Sequence, residues 1–205
     1  QVDLGIDASR RRVVAADRLL GERLSDAMLE GYAQDAITAG PLLVTMAARY
    51  THNSRWGNAL TPSVGVALEP SGTLRLRIGA ARGFRGPSFK ELGWRFLNAA
   101  AGYTVEGNDA LVPESSWQVF TGATWAPSRA LRVDADLYRN NLREMIDLVL
   151  VGSTEAGLLR YTPQNRARAR TQGLELAVSY HAAPLHLSAS YERLPSLSLN
   201  GNFGY

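Results

Sequence analysis

Apolar side chains occupy every second position along most of this 205-residue chain. In residues 74–80, leucine, isoleucine and alanine alternate with arginine and glycine, and the same period returns in 131–137, 174–180 and 185–191. Because successive side chains of a β-strand point to opposite faces, each segment has one apolar face and one polar face. The period predicts an all-β fold of antiparallel hairpins.

A soluble β-sandwich also produces this alternation, so the period alone leaves two architectures open. Two features of the spacing favour a transmembrane β-barrel. Several patterned segments reach about ten residues, the length that a tilted strand needs to cross a bilayer. Tight turns rich in Gly, Pro and Ser also alternate with longer connections, as in bacterial outer-membrane barrels. The longer connections are predicted near residues 10–27, 53–60, 85–113 and 151–166.

Aromatic residues near the ends of the patterned segments support a barrel, because amphipathic rings suit the two interfaces of a bilayer. These residues are Tyr50, Trp117, Trp125, Tyr138, Tyr180 and Tyr191. We predict about ten strands, with a β-bulge at Asn140-Asn141 in the seventh. The predicted ranges are 2–10, 28–38, 42–52, 61–69, 74–84, 115–126, 131–150, 167–180, 185–193 and 196–205.

Composition excludes several function classes. The chain contains no cysteine, so disulfide frameworks, thiolate metal sites and thiol nucleophiles are absent. It has no run of about 18 apolar residues that could form a membrane-spanning helix. The net charge of +3 is spread along the chain, unlike the concentrated basic face of a nucleic-acid-binding protein. Catalytic and zinc-binding motifs are also absent, so we expect no enzyme, no cofactor, no metal site and no nucleic-acid partner.

Two boxes rich in glycine and proline stand out beside the predicted strands. They are Gly83-Phe84-Arg85-Gly86-Pro87-Ser88 and Gly107-Asn108-Asp109-Ala110-Leu111. Three further segments accompany them in order, namely residues 31–35, residues 48–50 with 61–65, and residues 169–176. Together these segments resemble the barrel of TonB-dependent outer-membrane receptors, in which the paired boxes bracket a long external loop.

The resemblance implies a function and a cellular location. Receptors of this kind take up a scarce solute, such as a ferric siderophore, across the outer membrane of Gram-negative bacteria, with energy supplied by the TonB complex. They combine a plug domain with a barrel of about 22 strands. We therefore expect residues 1–205 to form part of such a barrel, without the plug or the coupling segment, in contact with outer-membrane lipid. The alternatives are a small passive porin or structural barrel and a soluble all-β binding module.

The loop between the boxes holds the predicted ligand-binding residues, because cations and aromatic rings together suit anionic aromatic ligands such as ferric chelates. The predicted contacts are Arg85, Lys90, Trp94, Arg95 and Tyr103. The alternative for the aromatic residues is that Trp94, Phe96 and Tyr103 pack the loop upon itself. The resemblance also disfavours haem as the ligand, because residues 88–107 contain none of the histidine that haem-uptake members carry there.

Arg166, Arg168 and Arg170 form a second candidate cluster, since alternate residues of a strand share a face. Facing inward, they would line the lumen and attract anions. The favoured interpretation is that they pair across the wall with Asp134, Asp136 or Glu175.

Overall fold

Eleven β-strands and one short helix make up the computed structural model, which describes residues 2–19, 23–182 and 185–201. The elements are β1 Val2–Val14, β2 Arg23–Ala39, β3 Leu42–Asn53, β4 Gly57–Ser71, β5 Leu74–Arg85, α1 Phe89–Gly93, β6 Arg95–Asn98, β7 Tyr103–Glu106, β8 Glu114–Trp125, β9 Leu131–Ser153, β10 Leu159–Ala182 and β11 Leu185–Gly201. Within the described residues, no helix is long and apolar enough to cross a bilayer.

The long strands form one antiparallel sheet in the order β1-β2-β3-β4-β5-β8-β9-β10-β11. Each neighbouring pair is a hairpin in sequence except β5 and β8, which are separated by the 86–113 loop. The hairpin of β6 and β7 lies within that loop and joins the sheet elsewhere, where β7 pairs in parallel with residues Leu159–Tyr161 of β10. The sheet does not close among the described strands, since β1 pairs only with β2 and β11 only with β10.

The strands are longer than their apolar alternation predicts. The connections expected at 10–27, 53–60 and 151–166 shrink to residues 15–22, 54–56 and 154–158. The polar residues at these strand ends still complete the hydrogen-bonded ladder, for example in the pairing of β1 with β2 up to Val14 and Arg23. Backbone hydrogen bonding between the strands therefore extends beyond the segments in which apolar residues alternate.

Two predictions about the last three long strands are wrong, one about a boundary and one about a β-bulge. The strands expected at 185–193 and 196–205 are a single strand, β11, and residues 202–205 lie outside the described residues. The bulge expected at Asn140-Asn141 occurs at Arg143 and Glu144, where two residues of β9 oppose Arg168 of β10. Glu144 has a φ of 55°, which produces the local kink.

The two faces of the sheet differ in chemistry. One face carries large exposed apolar side chains, for example Ile78 and Leu137, which lie in register on either side of Thr121. The opposite face carries charged and polar side chains, including the pair formed by Arg77 and Asp136 at 2.7 Å. We call these the apolar face and the polar face.

Aromatic residues border the apolar face at both ends of β8. Trp117 and Trp125 are each 48% exposed, and Tyr180 lies near the end of β10. Tyr138 does not belong to this border, contrary to the prediction, because it pairs with Gly173 on the polar face. Its ring covers that glycine, and a Cβ atom there would lie 2.7 Å from the ring.

The same aromatic-over-glycine pairing recurs twice on the polar face. Tyr32 lies opposite Gly5, and Phe120 lies opposite Gly79. In each pair a Cβ atom on the glycine would lie within 2.6 Å of the ring. The absent side chain lets the aromatic ring lie flat on the neighbouring strand, which pins the register.

Replacing Gly79 with valine is expected to destabilise the folded barrel by about 1–3 kcal/mol, because the new side chain displaces Phe120. Gly31→Val is the matched control, since Gly31 also lies in a strand and nothing approaches its Cβ position within 4 Å. The measurement is the midpoint of urea unfolding in detergent, monitored by heat-modifiable gel migration. Equal midpoints for the two variants would contradict this account of register.

Candidate ligand-binding loop

The 86–113 loop begins with a helix that its own sequence caps. The Ser88 side chain accepts a hydrogen bond from the Glu91 amide at 3.3 Å, and the Ser88 amide donates to the Glu91 carboxylate at 2.7 Å. This reciprocal capping box satisfies backbone donors at the start of α1, which is only one turn long. Serine and glutamate at this spacing therefore fix how the chain leaves β5.

Arg85 joins the two ends of the loop. Its guanidinium donates to both oxygens of Glu91 at 2.9 and 3.0 Å, and to both oxygens of Glu114 at 2.7 and 2.8 Å. Glu91 belongs to α1 and Glu114 begins β8, so one side chain ties the exit from β5 to the return of the chain. Bidentate pairing of this kind is strong because the planar donor fork matches each carboxylate.

The electrostatics of this cluster favour the ionised state. Burial by itself raises the pKa of Glu114, but hydrogen bonds from Arg85 and from the Ile146 amide outweigh it and hold the pKa below its ordinary value. The pKa of Glu91 is lowered in the same way, against its burial, by Arg85 and Ser88. Both carboxylates therefore remain charged at neutral pH, and together they exceed the single positive charge of Arg85.

On one side, the loop is attached to β10 through asparagine side chains. Asn108 donates to the Pro163 carbonyl at 3.0 Å, and its own carbonyl accepts from the Ala110 amide at 3.0 Å. Asn165 of β10 accepts from the Val112 amide and donates to the Val112 carbonyl, so it binds the loop as a strand would. The second box thus supplies the attachment of the loop to the wall.

On the other side, the loop reaches the connection between β1 and β2. Trp94 forms a β-bridge with Leu19, and the Arg95 amide donates to the Arg18 carbonyl at 2.8 Å. Leu19 and Leu92 are among the few buried apolar residues of the described part of the chain. Because β1 and β2 lie at one edge of the sheet and β10 lies near the other, the loop spans the sheet.

Two glycines of the boxes permit close approach. A Cβ atom on Gly86 would lie 2.9 Å from Trp56, which packs on Phe84 with 5.5 Å between ring centroids. A Cβ atom on Gly107 would lie 2.5 Å from the Gly93 backbone. A larger residue at Gly86 would push the loop away from Trp56, and one at Gly107 would push the second box away from α1.

Trp94 lies between two cations. The Lys90 ammonium is 5.4 Å and the Arg18 guanidinium is 6.0 Å from the centroid of its ring. Lys90 and Arg95 are exposed, and within the part of the chain that the structure describes neither has a carboxylate within ion-pair distance. Such a group offers an anionic ligand both a ring face and uncompensated positive charge.

The structure separates the predicted ligand contacts into three groups. The Lys90 ammonium lies over the Trp94 ring, and the exposed Arg95 follows Trp94 in the chain. Arg85 is instead held by two carboxylates. Tyr103 packs against Phe96 and Tyr161, each at 6.1 Å between centroids, which matches the self-packing alternative for those two loop residues.

Sequence reasoning missed Arg18, because it lies about 75 residues from Trp94 and no local pattern links them. Its position in the predicted 10–27 connection is the one available signal.

The interpretation of the second arginine cluster, formed by Arg166, Arg168 and Arg170, is wrong. The aspartates have other partners, since Asp136 pairs with Arg77 and Asp134 pairs with Arg132. Arg168 and Arg170 lie on the apolar face, on the same side of β10 as Leu174.

Comparison with known proteins adds the family. The family model described as TonB dependent receptor-like, beta-barrel, matches residues 13–205. The chain is 29% identical over 149 residues to hemoglobin and hemoglobin-haptoglobin-binding protein B of Haemophilus influenzae, covering 70% of this chain and 13% of that protein. It is 26% identical over 144 residues to the ferrienterobactin receptor of Escherichia coli K12, covering 65% of this chain and 19% of the relative.

Solved structures share the fold. The ferric enterobactin receptor PfeA of Pseudomonas aeruginosa, solved as a mutant with enterobactin, superposes with a TM-score of 0.81 at 19% identity, covering 95% of this chain and 33% of that one. The siderophore receptor PirA of the same organism gives a TM-score of 0.80 at 16% identity, covering 99% of this chain and 42% of that one. The chain therefore spans less than half of each of these proteins.

Replacing Arg85 with alanine is expected to loosen the 86–113 loop by about 1–3 kcal/mol, because two partly buried carboxylates lose their shared partner. The control is Arg75→Ala. Arg75 forms an ion pair with Glu69 at 3.3 Å, in which both side chains are exposed, so the pair contributes little to stability. Mobility is measured by electron paramagnetic resonance of a spin label on Ala99→Cys in the turn between β6 and β7. A label as immobile in Arg85→Ala as in Arg75→Ala would refute the role of Arg85.

Proposed function

Because the chain belongs to the TonB-dependent receptor family, as part of its outer-membrane β-barrel, we propose that it serves in active uptake. The receptor binds a scarce anionic solute, such as a ferric siderophore, and moves it inward with energy supplied through TonB. Family membership supports the coupling to TonB, and the chemistry of the 86–113 loop supports the class of solute.

The orientation of the sheet follows from its connections. The connections at one end of the sheet, residues 40–41, 72–73 and 126–130, are all short. Those at the other end include the short turn 54–56 but also the 86–113 loop, which is long and structured. In outer-membrane barrels the short turns face the periplasm and the long loops face the exterior. The 86–113 loop is therefore external, where a receptor meets its solute first.

The observation that carries the proposal is the position of Trp94 between Lys90 and Arg18, beside the exposed Arg95. A ferric chelate with aromatic donors carries negative charge and flat rings, and both find partners here. Tyr103 is a further proposed contact, although its ring also packs against Phe96 and Tyr161. Arg85 contributes chiefly by holding the loop, because its donors are already bound to carboxylates.

The names of the relatives do not agree on one solute. They include haemoglobin-binding proteins, a vitamin B12 transporter of Vibrio vulnificus and a ferrienterobactin receptor. We favour the siderophore class on two grounds, the cation–aromatic group and the absence of histidine from residues 88–107. A soluble module is disfavoured by the continuous apolar face, and a passive porin by the transport-receptor family.

The double substitution Lys90→Ala with Arg95→Ala is expected to weaken binding of ferric enterobactin, an anionic catecholate chelate, by at least about tenfold. Two uncompensated charges near the ligand are lost, each contributing about 1 kcal/mol or more in a charge-assisted contact. Affinity is measured by fluorescence quenching of the full-length receptor in detergent at low ionic strength.

The matched control is Arg10→Ala with Arg12→Ala, which removes two exposed charges from the same end of the sheet but from the apolar face. Its affinity is expected to stay within about twofold of the unmodified receptor, because Arg10 and Arg12 point to the face opposite that of Arg11, the strand residue that contacts Phe89 of the loop. Equal affinities for both double variants would refute the assignment. Uptake, unlike binding, is expected to be lost in cells that lack TonB, and uptake without TonB would refute active transport.

A further inference from the structure

Arginine side chains interrupt the apolar face near its external end. The ladder pairs Arg139 of β9 with Val119 of β8, and Asn141 with both Trp117 and Arg170. Because partners in register share a face, Arg139 and Arg170 lie on the same side as Val119 and Leu137. Arg143 pairs with Ser115 and continues this row upward.

These side chains surround one polar depression of ≈ 520 Å³, lined by Trp117, Arg139, Asn141, Arg143, Arg168 and Arg170. The four arginines are exposed. The Nε atom of Arg170 donates to the Asn141 side chain at 3.1 Å, and that of Arg139 lies 3.4 Å from the same oxygen. The side-chain oxygen of Asn141 therefore holds the guanidinium groups of Arg139 and Arg170 close together.

The charge of this cluster is uncompensated among the described residues. On the polar face, Arg77 and Arg132 each have an aspartate within 2.7 Å. No described carboxylate lies within ion-pair distance of Arg139, Arg143, Arg168 or Arg170. Several like charges held together without a counter-ion repel one another, so an anion that joins the cluster stabilises it.

The depth of the cluster is set by the two tryptophans of β8. Trp125 and Trp117 are eight residues apart, roughly 27 Å along the strand and roughly 21 Å along the membrane normal for a tilt near 40°. This is close to the ~25 Å apolar band of an outer-membrane barrel. With Trp125 beside a short periplasmic turn, Trp117 and its neighbouring arginines lie at the outer interface, at the level of lipid headgroups.

An apolar groove leads from this cluster towards the membrane centre. It has a volume of ≈ 560 Å³, and its lining includes Val64, Ile78, Val119 and Leu137. Arg139 lines both the groove and the polar depression. A molecule with an anionic head and an apolar tail could therefore place its head in the polar depression and its tail in the apolar groove.

We propose that the depression and the groove together form a binding site for a phosphorylated lipid of the outer leaflet. Headgroup phosphates are bound by Arg139, Arg143, Arg168 and Arg170, and an acyl chain lies along Val119 and Leu137. Guanidinium groups bind phosphate oxygens in a bidentate manner, which matches planar forks gathered at one interface. The lipid supplies the missing counter-charge and fixes the height of the wall in the membrane.

The test uses the full-length receptor, delipidated in detergent and titrated with diphosphoryl lipid A, with bound lipid counted by native mass spectrometry. The double variant Arg139→Gln with Arg170→Gln is expected to bind at least about tenfold more weakly. The control, Arg75→Gln with Arg132→Gln, removes two charges from the polar face and is expected to bind like the unmodified receptor. Equal binding by the two double variants overturns the proposal.

Two further probes separate the possible sources of the anion. Phosphatidylcholine with the same acyl chains is expected to bind at least about tenfold more weakly than lipid A, and inorganic phosphate at 10-fold molar excess is expected not to displace lipid A. Displacement by phosphate alone would show a small-anion site and overturn the lipid assignment. Failure of this proposal leaves binding of ferric enterobactin at Lys90 and Arg95 unchanged, so the two proposals are tested independently.

Discussion

The continuous antiparallel ladder from β1 to β11 is the constraint on which the rest of the structure depends. A shift of one residue between any two strands would move every apolar side chain to the opposite face. The pairs of Tyr32 with Gly5, Phe120 with Gly79 and Tyr138 with Gly173 resist such shifts, because each ring needs a glycine directly opposite. The register thereby decides which arginines meet carboxylates and which meet the membrane.

In the proposed function, the 86–113 loop is the part of this sheet that meets the solute. Arg85 closes its base, Asn165 attaches it to β10, and the bridge between Trp94 and Leu19 attaches it to the opposite part of the sheet. A loop held at three places loses little further conformational entropy when a solute binds. The cations beside Trp94 are thus presented on a supported platform, and the two boxes of the sequence mainly provide that support.

The alternation of the sequence predicted the faces, the hairpins and the bounds of the external loop, because these depend on local side-chain periodicity. It missed the hairpin of β6 and β7 and the partners of Arg85, which depend on contacts between distant residues. The direction of Arg168 and Arg170 could have been found by counting, since both are an even number of residues from Leu174. Their charge suggested the polar face, but at the edge of the apolar band long cationic side chains reach the headgroups.

The central claim, that the register divides the wall into a lipid face and a lumen face, can be tested along β5 and β9. The chain has no cysteine, so single cysteines can be introduced at 76, 77, 78, 135, 136 and 137 and spin-labelled. In reconstituted full-length receptor, labels at 76, 78, 135 and 137 should be accessible to oxygen dissolved in lipid. Those at 77 and 136 should be accessible to a water-soluble nickel chelate. Absence of this alternation, or its inversion, would contradict the account.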